Sequence, residues 1–197
     1  MPSRTLHRRT FLLACLAGPG AVAAAPVVVE GQPFERRALV AGRELVLNGT
    51  GVRAVAWIKG YAAGLYLTAP TSSVAEVLAL AGPKRLQMRL LRDVPAAEFV
   101  KAVQHGVERN AAPDELPRLA ARLQAFESRI GAAGTVRLGD IVDLDLDPTR
   151  GLLYSLNGTL QGEAIAGEDF YAAVLRAFIG DRPYDKKLKA GLLGAPG

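Results

Sequence analysis

Leu47-Asn48-Gly49-Thr50-Gly51-Val52-Arg53, followed after four residues by Ile58-Lys59-Gly60-Tyr61-Ala62-Ala63-Gly64-Leu65-Tyr66-Leu67, is the stretch on which the reading of this 197-residue chain turns. An Asn-Gly pair accepts the positive φ angles of a tight turn, so Asn48-Gly49 is expected to join the strand Arg43–Leu47 to a strand running from Val52 through Leu67. On such a strand Arg53 and Tyr61 are separated by an even number of residues, which puts both on one face together with Val55, Trp57 and Lys59. The opposite face offers Ala54, Ala56, Gly60, Ala62 and Gly64, small enough for a helix to lie close. A bulge at Gly60 would change this parity. From spacing alone, Arg53 and Tyr61 read first as a surface arginine and a core-edge tyrosine.

Working outward, Leu156-Asn157-Gly158-Thr159 repeats the turn chemistry between Gly151–Ser155 and Leu160–Gly162, predicting a second hairpin. The flanks of the two Leu-Asn-Gly-Thr segments do not match, so the shared residues reflect turn chemistry and not duplication. Between them, Leu86–Leu91 reads as a strand. Pro95 stands at a helix start, and Phe99, Val100, Val103 and Val107 recur at helical spacing. Pro113-Asp114-Glu115 opens a second helix carrying Leu116, Leu119, Leu123, Phe126 and Ile130, with Gly131 as its stop. Val142–Asp147 alternates strictly, which predicts a strand with one wet face. Its acids lack the spacing of a calcium loop. Helices are expected from about Glu168 to Phe178 and across Lys186 to Leu192. The order of elements predicts an α+β fold, an antiparallel sheet packed by helices.

The N-terminus has a different character. Arg4, Arg8 and Arg9 precede the apolar run Phe11–Ala17, and Ala21-Val22-Ala23-Ala24-Ala25 follows, the pattern of an export signal cleaved near residues 23–25. Arg8-Arg9-Thr10-Phe11-Leu12 looks like a twin-arginine variant, and the apolar run is short of the roughly 20 residues that span a bilayer. The expectation is a periplasmic or otherwise exported protein with no stable membrane span after cleavage, residues 26–197 forming one domain. Cys15, the only cysteine, lies within the segment to be removed, so the mature chain has no disulfide and no thiolate chemistry. Of the chain's 24 basic residues, set against 19 acidic ones, three arginines leave with that segment. The remainder is close to neutral and has no basic stripe interleaved with aromatics, which argues against nucleic acid as a partner.

Catalytic constellations are sparse. His105 is the only histidine outside the export segment, so a zinc set or a Ser-His-Asp triad would have to be built around it, and beside Gly106 in a helix it reads as a surface or packing residue. Gly49-Thr50-Gly51 lacks the third glycine and the following helix of a dinucleotide site. No cofactor and no metal are indicated.

The Asn-Gly-Thr-Gly segment, Arg53 just beyond it and the Tyr-Ala-Ala-Gly-Leu-Tyr-Leu strand together resemble the signature region of the chalcone-isomerase-like family. The similarity extends more loosely through Arg92-Asp93, Glu98-Phe99-Val100-Lys101, Gly151-Leu152-Leu153, Phe178-Ile179-Gly180-Asp181 and Lys187-Leu188. The resemblance implies an open-faced sheet-and-helix sandwich in which Arg53 holds a ligand's oxyanion or carboxylate. In the fatty-acid-binding branch a tyrosine shares the carboxylate, and Tyr61 matches it; Trp57 and Lys59, on the expected same face, join them as candidate ligand contacts. The plant isomerases also draw a tyrosine, a lysine and an asparagine from the long helical region, and a hydroxyl residue from the last long helix. Here Gly106 to Arg129 offers only Asn110, and Ala177 stands at the hydroxyl position. The resemblance therefore implies first a binder of a small apolar ligand with an anionic head, a fatty acid foremost. An intramolecular lyase acting on a chalcone-like substrate, with Arg53 and Tyr61 at its centre, is the second reading, and a non-binding interaction protein the third.

Overall fold

The chain does not reverse at Asn48-Gly49. In the computed structural model, which describes residues 24–195, a single long strand runs through this pair. The export segment expected at the N-terminus lies almost wholly outside the described residues. In chain order the elements are β1 (Val27–Val29), β2 (Gln32–Phe34), β3 (Arg37–Val40), β4 (Arg43–Val55), β5 (Ile58–Leu67), α1 (Val74–Ala79), β6 (Lys84–Leu90) and β7 (Val94–Pro95). They continue with α2 (Ala96–Asn110), α3 (Leu116–Gly131), β8 (Thr135–Val136), β9 (Ile141–Asp147), β10 (Gly151–Leu156), β11 (Thr159–Leu160), α4 (Glu168–Ile179) and α5 (Lys186–Leu192).

Asn48 sits at a break in the β4–β5 register, between Leu47 and Gly49, and its side chain explains why. Nδ2 donates to the Leu192 carbonyl (2.8 Å) and Oδ1 accepts from the Thr71 amide (2.7 Å), so the asparagine bridges two distant segments and does not close a turn. The reversal comes at Ala56-Trp57, where Val55 pairs with Ile58 and Ala56 adopts φ 53°. This corrects the one-strand reading of Val52–Leu67: Arg53 and Tyr61 lie on two antiparallel strands and are direct cross-strand partners. The other Asn-Gly pair behaves as its sequence predicts. Asn157 (φ 51°) and Gly158 (φ 76°) close β10–β11 with the two positive φ angles of a type I′ turn.

A seven-stranded antiparallel sheet in the order β11-β10-β9-β6-β5-β4-β3 carries the fold. Register aligns one face across its centre: Tyr61, Ala63 and Leu65 of β5 pair with Leu90, Met88 and Leu86 of β6, and the last two pair in turn with Val142 and Leu144 of β9. These side chains meet Val100, Val103 and Val107 of α2, Phe126 and Ile130 of α3, and the apolar stripe of α4 in one buried core. Where α2 crosses α4, Gly106 lies against Ala177; a Cβ on Gly106 would come within 3.0 Å of the Ala177 Cα and closer still to its Cβ. Ala177 is thus a packing contact at a tight helix crossing. A larger side chain there would push the helices apart.

The other face departs from the expectation of a solvated one. Asp143 and Asp145 are each only 6% exposed. Arg85, on the neighbouring strand, donates from Nε and Nη2 to the two carboxylate oxygens of Asp145 (2.7 and 2.6 Å), and Gln87 donates to Asp143 (2.8 Å). The period-2 alternation marks the strand correctly, but the acids face cross-strand partners in place of water. Near the β3 edge, Phe34 of the β1–β2 hairpin lies on this face, where the absent side chain of Gly64 leaves room for its ring.

Gly106→Ala reverses the usual sign of a helical glycine replacement. Helix propensity alone would stabilise by about 1 kcal/mol, whereas the overpacked contact with Ala177 costs about 1–3 kcal/mol. Urea denaturation should show a lower midpoint for Gly106→Ala, partly restored in the Gly106→Ala/Ala177→Gly double variant; a raised midpoint for the single variant would refute the crossing.

Candidate ligand-binding site

Arg53 and Tyr61 face the helix layer at the end of the β4–β5 ladder, and the C-terminal segment descends on them. Gly49 and Gly51, on the same face of β4 as Arg53, allow α5 to approach: a Cβ on Gly49 would stand 2.8 Å from the Leu192 carbonyl oxygen, and one on Gly51 2.9 Å from that of Leu188. The first residues of α5 and the two preceding them are thereby set over Arg53. Asp185 caps the helix, its Oδ1 accepting from the amides of Lys187 and Leu188 (both 2.9 Å). Its Oδ2 accepts from Arg53 Nη1 (3.2 Å) and from the Ala54 amide (3.4 Å). Arg53 Nη1 also donates to the Ala54 carbonyl (2.7 Å), and the guanidinium lies 5.1 Å from the centroid of the Tyr184 ring.

Tyr61 is 7% exposed, and its hydroxyl lies 2.6 Å from that of Tyr184. Burial pushes both phenols well above the ordinary tyrosine range. For Tyr61 the bond to Tyr184 and the charge of Arg53 offset this only in part. The two hydroxyls are therefore neutral donors at any physiological pH. Tyr184 in turn packs edge-on against Phe178 (5.3 Å between centroids), which meets Phe99 of α2 (6.4 Å).

Two neighbouring spaces lie beside this cluster. The inner one is walled by Met88, Leu90, Ile130, Val136, Val142 and Tyr154, with no polar surface; it is narrow, about 30 Å³ being open to the centre of a water-sized sphere. The outer one is wider, about 490 Å³ by the same measure, and carries Arg53, Arg92, Asp93, Glu98 and Tyr184. Tyr61, Val94 and Phe99 line both.

Of the four site residues expected from sequence, the fold brings Arg53 and Tyr61 together and separates Trp57 and Lys59 from them. Trp57 is at the tip of the β4–β5 turn, 87% exposed. Lys59 Nζ donates to Glu30 (2.6 Å) on the β1–β2 hairpin and does not line either space. The even-spacing argument failed for Trp57 because it sits in the turn, and for Lys59 because Gly60 is an extra residue in the ladder between the pairs Arg53–Tyr61 and Ala54–Lys59, the bulge that changes the parity. Sequence reasoning missed Tyr184 and Asp185. The one available signal was Asp185 itself, a capping residue directly before the expected helix at Lys186.

Asn110, the one residue between Gly106 and Arg129 that matches the isomerase set by type, is engaged with backbone. Asn110 donates to the carbonyls of Gly106 (2.8 Å) and Arg182 (3.0 Å) and accepts from the Arg182 amide (2.9 Å), tying the end of α2 to the α4–α5 connection. His105 is exposed on α2. Among the described residues no cluster of three or more His, Cys, Asp or Glu side chains could hold a metal ion.

Comparison with known proteins agrees with this architecture. No curated protein sequence matches the chain. The crystal structure of the Arabidopsis thaliana fatty-acid binding protein AtFAP1 is similar to it with a TM-score of 0.65 at 18% identity, over 85% of this chain and 95% of the plant one. At that identity the likeness is one of fold. Residues 26–194 match the family model described as chalcone isomerase-like, and on that match, which spans nearly all the described residues, the chain belongs to the chalcone isomerase-like family.

Proposed function

We propose that this protein binds a small apolar ligand with an anionic head, a fatty acid foremost, in an exported protein as its N-terminal pattern implies. The observation that carries the reading is an apolar inner space that adjoins, at Tyr61, Val94 and Phe99, a mouth that holds Arg53. The head lies at Arg53, where Asp185 Oδ2 now sits as an internal carboxylate on the guanidinium. Asp185 Oδ1 can keep capping α5 while Oδ2 yields to the incoming head. Tyr61 or Tyr184 donates a second hydrogen bond from a phenol that burial keeps protonated. The first carbons occupy the mouth. The end of the chain enters the inner space as Met88, the most adaptable side chain of its wall, shifts. Since the inner space is narrow, affinity rises with chain length by up to about 0.8 kcal/mol per methylene only until the space is filled, and this is an upper value before the costs of association.

Calorimetric titration of fatty acids and the alcohols of equal length separates head from tail. Loss of a charge-assisted contact worth about 1.5–3 kcal/mol should make Arg53→Ala bind acids about tenfold to a hundredfold more weakly, with alcohols almost unchanged. Tyr61→Phe should cost acids less, about 0.5–1.5 kcal/mol. Asp185→Asn keeps a capping side chain and removes the competing charge, so it should tighten acid binding. Equal weakening of acids and alcohols by Arg53→Ala, with the fold intact, would show that Arg53 shapes the mouth without receiving the head.

The neutral-phenol argument extends to the whole molecule. All five tyrosines are raised, Tyr66 to about 12, with burial the largest cause in each. Unfolded phenols ionise near pH ~10, so above that pH the folded state holds protons that the unfolded state has lost. The tyrosine contribution to stability is therefore full below the unfolded value and falls as pH rises through the folded values. Phenolate absorbance should stay low in the native protein until it rises together with the loss of circular dichroism, whereas guanidinium-unfolded chain titrates near ~10. A native titration near the unfolded value for most of the five would contradict the burial of these groups.

A further inference from the structure

The β4–β5 turn carries apolar side chains that the rest of the described fold leaves uncovered: Trp57 is 87% exposed, Val55 63% and Ile58 44%. Val55 and Ile58 also line the mouth, so the exposed tip and the mouth are parts of one surface. Two basic residues flank the apolar tip, Arg53, which is paired with Asp185, and Lys59, which is paired at the surface with Glu30. Arg92 is exposed at the same mouth, as are Asp93 and Glu98.

We propose that this tip enters the headgroup layer of a lipid bilayer and sets the mouth against it, so that an acyl ligand passes directly between membrane and cavity. The proposal rests on the reading of the mouth as the entrance for such a ligand. Three features select a bilayer as the occupant. Tryptophan, with an apolar ring and one N–H donor, favours the boundary between hydrocarbon and headgroups. Arg92, together with Lys59 whose surface pair with Glu30 contributes little, stands beside the inserted tip at the level of lipid phosphates, where anionic lipids attract it. The patch is also small for a protein partner: three side chains present on the order of 400 Å² at most, against about 800 Å² per partner in a standard interface.

Trp57 is the only tryptophan, so the intrinsic fluorescence of the full chain reports on the tip alone. With vesicles of phosphatidylcholine and phosphatidylglycerol, its emission should move to the blue and be quenched by lipids brominated near the headgroup, and the shift should be smaller on phosphatidylcholine alone. The Val55→Ser/Ile58→Ser variant should need about tenfold more lipid or greater for the same shift. Emission unchanged by vesicles would overturn the proposal, including the case in which the chain sediments with them while Trp57 stays in water. A blue shift that grows with protein concentration in the absence of lipid would overturn it in favour of a second copy of the chain. Fatty-acid titration without vesicles, run alongside, separates the two readings. Acid binding with an unresponsive Trp57 removes membrane docking alone; absence of acid binding removes the ligand reading and docking with it.

Discussion

Everything at the mouth depends on how closely α5 lies on β4. Three glycines make the approach possible: side chains on Gly49 or Gly51 would meet the α5 backbone, and a Cβ on Gly191 would stand 2.9 Å from the Gly51 Cα. Asn48 fastens the contact from the strand side through its bond to the Leu192 carbonyl. With α5 fixed there, its capping residue Asp185 reaches Arg53 and Ala54, and Tyr184 reaches Tyr61. The candidate head-group site is therefore assembled from three places in the chain, and the glycines that look like turn residues serve helix docking.

The same geometry is the reason binding is proposed ahead of isomerase chemistry. A catalyst of that type needs donors placed where negative charge develops on the substrate. Around the inner space the helices supply apolar side chains, Phe99 and Ile130 among them. Asn110 is engaged with backbone on the far side of α2, and Ala177 is consumed by the crossing with Gly106. The groups that remain at the mouth are the guanidinium groups of Arg53 and Arg92, two phenols held neutral by burial and several carboxylates. That set can orient and neutralise an anion. The acids of the mouth, Asp93 and Glu98, together with Asp185, would repel an anion, so the proposed head group has to sit close to arginine.

Much of this architecture is legible in the residues, and the failures have physical causes. Local chemistry sufficed for α2, whose start at Pro95 and apolar spacing are self-contained, and for the Asn157-Gly158 turn. It failed at Asn48-Gly49 because that pair's partners, Thr71, Leu192 and the α5 backbone, are remote in sequence. It failed again at Ala56-Trp57, where a turn with one positive φ contains neither glycine nor asparagine. Asp143 and Asp145 looked solvated because their periodicity places them on one face but says nothing of Arg85 across the strand. Arg53 and Tyr61 share a face for a reason other than strand parity: the hairpin register sets them opposite each other, whereas Trp57 and Lys59, assigned by parity, fall on the tip and its outer side.

The central claim is that a ligand carboxylate meets the Arg53 guanidinium in the mouth. Its most direct test is carbon-13 NMR of a bound fatty acid labelled at the carboxyl carbon, followed as a function of pH. A carboxylate beside a half-buried arginine is favoured in its charged form, so the bound carboxyl should titrate below the same acid free in water, and that displacement should disappear in Arg53→Ala. A bound carboxyl that titrates as in water, or identically in the two proteins, would contradict the account.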